Sequence, residues 1–192
     1  MKILGILKDA IMLFVITLVL VTVLAFTKVW TQQAIDRTNL EAQLKAFNEV
    51  CPGYYSSEDI VSDVVGASAG YDASLNGDGA VLRCKNESGD IIGYIVQCTS
   101  KGYGGPLNLI VGFDKTGKVT GVRYANVPSE TPGLGMKTTE QWFLDSWLDH
   151  SHDNVSEVDT ISGATISSTA FKQAMSLACM FASRAATMDG GK

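Results

Sequence analysis

The sequence contains few of the residues that build metal centres or bind nucleic acids. It has four cysteines, none of them in a Cys-x-x-Cys pair, and two histidines, His150 and His152. This distribution argues against zinc and iron–sulfur ligation, and a metal bound at the two histidines would lack further ligands. Acidic residues outnumber basic ones by 20 to 15. The excess argues against a nucleic acid as partner, because such a partner requires a basic surface.

The cysteines are spread along the chain at Cys51, Cys84, Cys98 and Cys179. We predict that they pack as small buried apolar side chains. A turn predicted at residues 86–90 places Cys84 opposite position 91 rather than opposite Cys98, so no cross-strand disulfide is expected between those two. A bridge from Cys51 to one of the other three stays open.

Charge is missing altogether from residues 10–27, an apolar stretch near the start of the chain. A helix of this length spans about 27 Å, close to the hydrocarbon thickness of a bilayer. A cleaved signal peptide is the alternative, but the stretch exceeds the usual apolar core of about 7–15 residues. We therefore predict that residues 1–28 form a tail and a retained transmembrane anchor in contact with membrane lipid. The flanking basic residues are too evenly divided to set its orientation.

The rest of the chain carries patterns of both helices and strands. A partial apolar stripe in residues 31–50 predicts a helix that stops at Pro52-Gly53, and residues 54–79 have the composition of a loop with brief structure. Apolar segments separated by turn-rich connections predict four strands of an antiparallel sheet, at residues 80–84, 91–98, 107–113 and 119–127. Residues 155–158 predict a further short strand.

Two more helices are predicted after the sheet. The run from Thr138 to Gln141 has the pattern of a capping box. Apolar residues recur at three- and four-residue steps from Phe171 onwards, and Ser167 or Ser168 is the predicted N-cap of this last helix. The fold class is therefore α+β. We divide the chain into the anchor (1–28), a juxtamembrane helix and loop (29–79), and an antiparallel-sheet domain with flanking helices (80–192).

The most informative stretch runs from Asp159 to Thr169 and leads into this last helix. It is small and hydroxyl-rich, and a helix start offers free N–H groups and the positive end of the helix dipole to an anion. Gly163 and Ala164 leave space beside Thr165, so its hydroxyl could carry a bulky phosphate ester. The tetrapeptide Ser162-Gly163-Ala164-Thr165 resembles the flavinylation motif of the FMN-binding domain family.

Two other segments carry the same resemblance, Gly102-Tyr103-Gly104-Gly105-Pro106 and Glu130-Thr131-Pro132-Gly133-Leu134-Gly135. In that family a dedicated flavin transferase esterifies the motif threonine to the phosphate of FMN. The resemblance thus implies covalent FMN on Thr165. It also implies flavin contacts from both segments, with Tyr103, Gly104 and Leu134 near the ring and Glu130, Thr131 or Gly133 beside it. Gly133 and Gly135 permit a positive φ and a close approach of the backbone. Pro128 stands where many relatives carry a histidine. No residue is expected to act as a catalyst or a metal ligand.

With its anchor, the chain resembles the G subunit of the Rnf ion-translocating electron transport complexes. This resemblance implies an electron carrier between ferredoxin and NAD, in a complex that exports Na⁺ or H⁺ and supplies membrane and soluble subunits as partners. It also implies a cytoplasmic N-terminus and an FMN domain on the outer side. The alternatives are the C subunit of the sodium-translocating NADH:quinone oxidoreductase, a flavin-binding sensor or regulator, and a stand-alone reductase. The sequence shows no evident group of acid–base catalytic residues, which argues against the stand-alone reductase. Asp159 either bonds loop N–H groups, is read by the transferase, or is a turn residue.

Overall fold

The computed structural model describes residues 12–22, 26, 43–66 and 80–190, with only the backbone described at 65 and 66. The chain divides into two compact units, Met1–Gln43 and Leu44–Lys192. In the first unit, residues 12–22 are helical and their large apolar side chains are exposed. Across the described residues, no helix combines the length and the apolar character needed to cross a bilayer. The anchor predicted at residues 10–27 lies partly outside the described residues, and so does the helix predicted over 31–50, of which residues 31–42 are not described.

The second unit is built on a five-stranded antiparallel sheet in which each strand pairs with the next. Its strands, in spatial and chain order, are β1 (Ser56–Asp59), β2 (Val81–Lys85), β3 (Ile91–Lys101), β4 (Pro106–Asp114) and β5 (Val119–Tyr124). The four predicted strands and the α+β class are confirmed. β1 comes from the segment predicted as loop, and it pairs with β2 from Ser56 opposite Lys85 to Asp59 opposite Leu82.

The helices are α1 (Val61–Gly66), α2 (Gln141–Asp145) and α3 (Thr165–Gly190), with 3-10 turns at Gly135–Thr139 and Val155–Glu157. Residues 43–50 are also helical, as predicted. The short strand predicted at 155–158 is wrong. Val155 and Val158 are both buried while the two residues between them are exposed, which is the spacing of one 3-10 turn.

The predicted capping box at Thr138 is wrong as well. Thr138 is fully buried within the first 3-10 turn, where its hydroxyl donates to the Gly135 carbonyl at 2.7 Å and accepts from the Tyr124 hydroxyl at 2.8 Å. α2 instead begins after Glu140, which makes no side-chain capping bond. A tertiary contact from β5 therefore takes the hydroxyl that a local capping box would use.

One face of the sheet is covered by α3, and the main core lies between them. The alternate residues of β3 and β4 that face α3 are buried, and they meet the helix residues that recur at three- and four-residue steps. This core includes Tyr94, Val96, Leu109, Val111 and Phe113 from the strands and Phe171, Met175, Ala178, Phe181 and Ala182 from α3. The predicted apolar stripe of the last helix is therefore its buried face.

The other face of the sheet is covered by the end of the helical segment at 44–50. A second core forms there from Phe47, Val50, Cys51, Cys84, Ile95 and Ile110. The approach is so close that a Cβ at Gly112 would lie 2.1 Å from the Val50 carbonyl oxygen. That oxygen also accepts a hydrogen bond from the Thr120 hydroxyl at 2.5 Å.

The C-terminal end of α3 is held across the sheet by one carboxylate. Asp189 accepts two hydrogen bonds from the Arg83 guanidinium, at 2.8 and 2.7 Å, and one from the Tyr94 hydroxyl at 2.8 Å. The hydrogen bonds to the Asp189 carboxylate raise the pKa of Arg83. Burial, and after it the hydrogen bond from Tyr94 to Asp189, raise the pKa of Tyr94. Since α3 is fixed at this end and along its buried face, the position of its first residue, Thr165, is fixed too.

Candidate cofactor site

The three segments singled out in the sequence meet around the start of α3. Together they line a cavity of about 430 Å³, a size typical of small-molecule sites. The lining residues are Tyr103, Glu130, Thr131, Leu134, Gly135, Gly163, Ala164, Thr165, Ile166 and Ser167. Of the predicted site residues, Gly104, Gly133 and Ser162 are not in the lining, but each is next in sequence to a residue that is.

Thr165 is the first residue of α3, and its side chain is exposed. The Ser168 N–H donates to the Ala164 carbonyl at 2.9 Å, so the helical hydrogen bonds begin at Ala164. The predicted N-cap at Ser167 or Ser168 is therefore wrong. Alanine has no side-chain acceptor for the N–H groups of the first turn, which lack intrahelical partners. Those groups and the helix dipole give the surroundings of the Thr165 hydroxyl a positive potential.

The two serines of the first turn have structural roles. Ser168 is buried, and its hydroxyl oxygen accepts from the Ile161 N–H at 3.1 Å while its O–H donates to the Ala164 carbonyl at 2.9 Å. Ser167 is also buried, and its hydroxyl donates to Glu130 Oε2 at 2.6 Å. These three bonds fix the backbone on either side of Thr165, and the Thr165 side chain stays exposed.

The chain reaches Thr165 through a tight turn. The Ala164 N–H donates to the Ile161 carbonyl at 3.0 Å, and Gly163 has φ +81°. This left-handed conformation favours glycine, and a Cβ at Gly163 would lie 3.5 Å from Leu134 Cδ2, at the wall of the cavity. Asp159 is exposed and makes no hydrogen bond to the N–H groups of the described residues 160–164, so that predicted role is wrong.

Glu130 joins the three segments. Its side chain is buried, with 6% of the residue exposed. Oε2 accepts from Ser167 at the start of α3, and Oε1 accepts from the Gly104 N–H at 3.2 Å. Hydrogen bonds to a carboxylate are stronger than those between neutral groups, so Glu130 is a strong tie between the glycine segment, its own segment and the helix.

Glycines permit the close contacts around this carboxylate. A Cβ at Gly104 would lie 1.8 Å from the Ser129 carbonyl oxygen, and one at Gly135 would lie 2.3 Å from Glu130 Oε2. Gly133 has φ +76°, and at Gly135 the neighbouring groups approach closely, so the two glycines serve the two purposes expected of them. Gly135 is required for space and Gly133 for conformation.

Three exposed apolar side chains lie at the cavity. Tyr103 is 69% exposed, Ile166 is 59% exposed and Leu134 is 46% exposed. Large apolar side chains grouped around a cavity are typical of a ligand-binding surface. Sequence reasoning missed Ile166. The available signal was its position, directly after Thr165 and ahead of the apolar stripe that begins at Phe171.

Behind the cavity, Tyr124 supports the 3-10 turn at Gly135–Thr139 through its bond to Thr138. Burial raises the pKa of Tyr124 to about 12; the hydrogen bond with Thr138 opposes this shift, and the charge of Glu130 adds to it. The phenol therefore stays protonated around neutral pH, and it continues to donate to Thr138.

The family profile described as "FMN-binding domain" matches residues 102–179, which include all three cavity segments. β4, β5, the cavity segments and the first part of α3 thus fall within a part of the chain that matches an FMN-binding domain. A second profile, described as "RnfG N-terminal region", matches residues 1–50.

Proteins of known assignment are similar along most of the chain. The G subunit of the ion-translocating oxidoreductase complex of Methanosarcina acetivorans is 30% identical over 177 residues, covering 88% of this chain and 89% of that protein. The G subunit of the Na(+)-translocating ferredoxin:NAD(+) oxidoreductase complex of Acetobacterium woodii is 27% identical, covering 85% and 84%. The proton-translocating counterpart of Clostridium ljungdahlii is 32% identical over 110 residues, covering 53% and 57%. The chain therefore belongs to the family of G subunits of Rnf ion-translocating oxidoreductase complexes.

Proposed function

We propose that this chain is the electron-transfer subunit that carries FMN, as a phosphoester of Thr165, in a membrane-bound complex coupling ferredoxin:NAD oxidoreduction to ion translocation. The names of its relatives describe subunits of such complexes, and the FMN-binding domain profile supports the cofactor. The observation that carries the proposal is the position of Thr165. It is the exposed first residue of α3, and it lines the cavity that the other two segments complete.

The chemistry of the site fits a flavin nucleotide joined through its phosphate. A phosphodiester on Thr165 would keep a negative charge, which the positive end of α3 and the N–H groups of its first turn would stabilise. The exposed side chains of Tyr103, Leu134 and Ile166 would cover the faces of a planar ring. Thr131, also in the cavity lining, would supply a hydrogen-bonding group at its edge. When bound, FMN would supply the redox chemistry, and the protein would hold and orient it.

A covalent link has a physical advantage for a domain on the outer side of the membrane. A dissociable cofactor would be lost into a large external volume. A tether keeps the ring at a high effective concentration beside its cavity, whatever the level of free FMN. The flavin transferase that forms the link is therefore a transient partner, whereas the membrane and soluble subunits of the complex are lasting ones.

In this proposal residues 10–27 anchor the chain in the membrane, the N-terminus lies in the cytoplasm and the FMN domain lies outside. The match of residues 1–50 to the RnfG N-terminal region supports an anchor of the kind predicted from the uncharged stretch. Protease digestion of intact cells tests this topology. An epitope placed at the C-terminus should be removed, and one placed at the N-terminus should be protected.

The attachment is tested by coexpressing the full chain with a flavin transferase and measuring its intact mass. The wild type should gain the mass of FMN less one water and turn yellow, and Thr165→Ala should show neither change. Thr160→Ala is the matched control because Thr160 is another exposed threonine of the same segment, outside the cavity lining. Covalent flavin on the Thr165→Ala variant would contradict the assignment.

A further inference from the structure

Cys51 and Cys84 lie side by side in the second core, on the face of the sheet opposite α3. They are 4% and 0% exposed, they belong to the same buried cluster, and their thiols are close enough for each to shift the pKa of the other. The Cys84 thiol donates to the Leu82 carbonyl at 3.9 Å. Cys51 follows the helical segment at 43–50, and Cys84 lies in β2. Two elements that are distant in sequence therefore bring a pair of thiols together.

The backbone on both sides holds this pair in place. The Cys51 N–H donates to the Phe47 carbonyl at 2.9 Å, and the Cys51 carbonyl accepts from the Tyr54 N–H at 3.1 Å. Cys84 is fixed between two neighbouring strands, opposite Ser57 in β1 and Gly93 in β3. Separating the thiols would require both elements to move.

Both thiols are reduced in the structure. We propose that Cys51 and Cys84 are joined by a disulfide when the chain matures on the outer side of the membrane. This inference rests on the outer location given in the proposed function, since disulfides form and persist in oxidising compartments. Both S–H bonds break and one S–S bond forms. The two protons and two electrons pass to the disulfide of a thiol–disulfide oxidoreductase of that compartment, which becomes a dithiol.

Both thiols are buried in the folded protein, so the exchange takes place before folding is complete. The thiolate is the nucleophile, so one of the two cysteines attacks the external disulfide and the other then resolves the mixed disulfide. In the folded chain, contact with Cys84 lowers the pKa of Cys51, although burial opposes this, and the same contact together with burial raises the pKa of Cys84. This difference belongs to the folded state and reports that the two thiols are neighbours.

A metal centre is a poorer use of the pair. Within the described part of the chain, no group of three or more potential ligands is placed to hold a metal ion. A disulfide, by contrast, would close the chain over residues 52–83, which include β1 and α1. It would fix the start of the second unit to the sheet and stabilise the fold by restricting the unfolded chain.

The other two cysteines are an internal control. Cys98 and Cys179 are also buried, and burial raises the pKa of each to about 12. The Cys98 thiol donates to the Ala174 carbonyl of α3 at 3.5 Å. The charge of Cys179 adds to the raised pKa of Cys98, and neither pKa is lowered as that of Cys51 is. We expect this pair to stay reduced.

The test is two-step thiol labelling of the full chain taken from its native membranes. Free thiols are blocked with one alkylating reagent during lysis in denaturant, and the protein is then reduced and treated with a heavier reagent. Peptide mapping should find the heavier label on Cys51 and Cys84 and the first label on Cys98 and Cys179. The first label on Cys51 and Cys84, or any other pairing, would overturn the inference.

The intact mass of the same sample, measured before reduction, separates this inference from the proposed function. Covalent FMN with four free thiols would refute the disulfide and leave the electron-transfer role standing. A disulfide in a chain without covalent FMN would support the Cys51–Cys84 inference and contradict the proposed attachment of FMN. The oxidised chain should unfold about 5–10 °C above the reduced chain. In a Cys51→Ala/Cys84→Ala double variant, reductant should no longer lower the unfolding temperature, whereas in Cys98→Ser it should still do so. If reductant lowered the unfolding temperature of the double variant as much as that of wild type, the pairing would be contradicted.

Discussion

Truncation of Glu130 to alanine removes the group that ties the three cavity segments together. Two hydrogen bonds disappear, the 2.6 Å bond from Ser167 and the 3.2 Å bond from the Gly104 N–H. The Ser167 hydroxyl, which belongs to a residue only 2% exposed, is left without its acceptor. Each hydrogen bond to a charged group is worth about 1.5–3 kcal/mol. Because the bond from Gly104 is long, we expect a total loss of about 3 kcal/mol in the free energy of unfolding.

Glu130→Gln separates the charge from the shape of the side chain. The amide can still occupy the same space and accept one hydrogen bond, but the bonds are no longer charge-assisted. We expect a loss of about 1–2 kcal/mol, intermediate between wild type and alanine. Glu157→Ala is the matched control, since Glu157 is exposed and its side chain makes no hydrogen bond to the described residues. A surface substitution of this kind should change stability by less than about 0.5 kcal/mol.

The assay is urea unfolding of the full chain in detergent, followed by tryptophan fluorescence, with Trp147 as a fully buried reporter. The same preparations, made with a flavin transferase, give the fraction of chains that carry FMN. Glu130→Ala should lower both quantities, because the cavity segments are no longer held against α3. If Glu130→Ala were as stable as Glu157→Ala, Glu130 would not be the tie that the geometry indicates.

Three further predictions use other contacts. Gly104→Ala should lower the free energy of unfolding by about 2 kcal/mol or more and reduce flavinylation, because its Cβ would overlap the Ser129 carbonyl. Gly105→Ala is the control and should be tolerated, since the nearest neighbour of its Cβ would lie at 3.8 Å. The urea and mass assays described above measure both effects. Asp189→Asn should lower the free energy of unfolding in urea by about 2 kcal/mol, because it weakens the hydrogen bonds from Arg83 and Tyr94. Lys85→Gln, which removes an exposed ion pair with Glu58, should lower it by less. Equal losses in the two variants would contradict this prediction. Burial acts to raise the pKa of Asp114, but hydrogen bonds from the Lys118 N–H and from Thr116 outweigh it, so the pKa lies below its usual value. The stabilisation that Asp114 provides is therefore present above its unfolded-state pKa and is lost as the pH falls through the lowered folded-state pKa. Below about pH 4, the thermal unfolding temperature should depend less on pH in Asp114→Asn than in wild type.

The elements that could be predicted from sequence are those with a local pattern. β3 and β4 alternate between the two faces of the sheet, and the residues of α3 recur at helical steps. β1 could not be found this way, because its four residues are all exposed and only pairing with β2 makes them a strand. The 3-10 turn at Val155–Glu157 was mistaken for a strand because valine favours strands. The spacing of the two valines, three positions, is that of a 3-10 turn and would place them on opposite faces of a strand.

In the candidate site too, the features with a local sequence pattern could be predicted and those that depend on tertiary contacts could not. Thr165 and the two glycine segments could be found because each has a sequence motif, and the cavity brings them together. The bond between Glu130 and Ser167 joins residues 37 positions apart, so no local pattern indicates it. The helix start was misplaced for a related reason. Its serines were expected to cap the N–H groups of the first turn. Instead Ser167 donates to the distant Glu130, and Ser168 accepts from the Ile161 N–H before the helix.

The chain isolated from native membranes offers the most direct test of the role given to Thr165. Trypsin should release residues 138–172 as one peptide, bounded by Lys137 and Lys172. We predict that this peptide carries the mass of FMN less one water, and that fragmentation places the addition on Thr165. The bare peptide mass, or an addition on any other residue, would contradict the account.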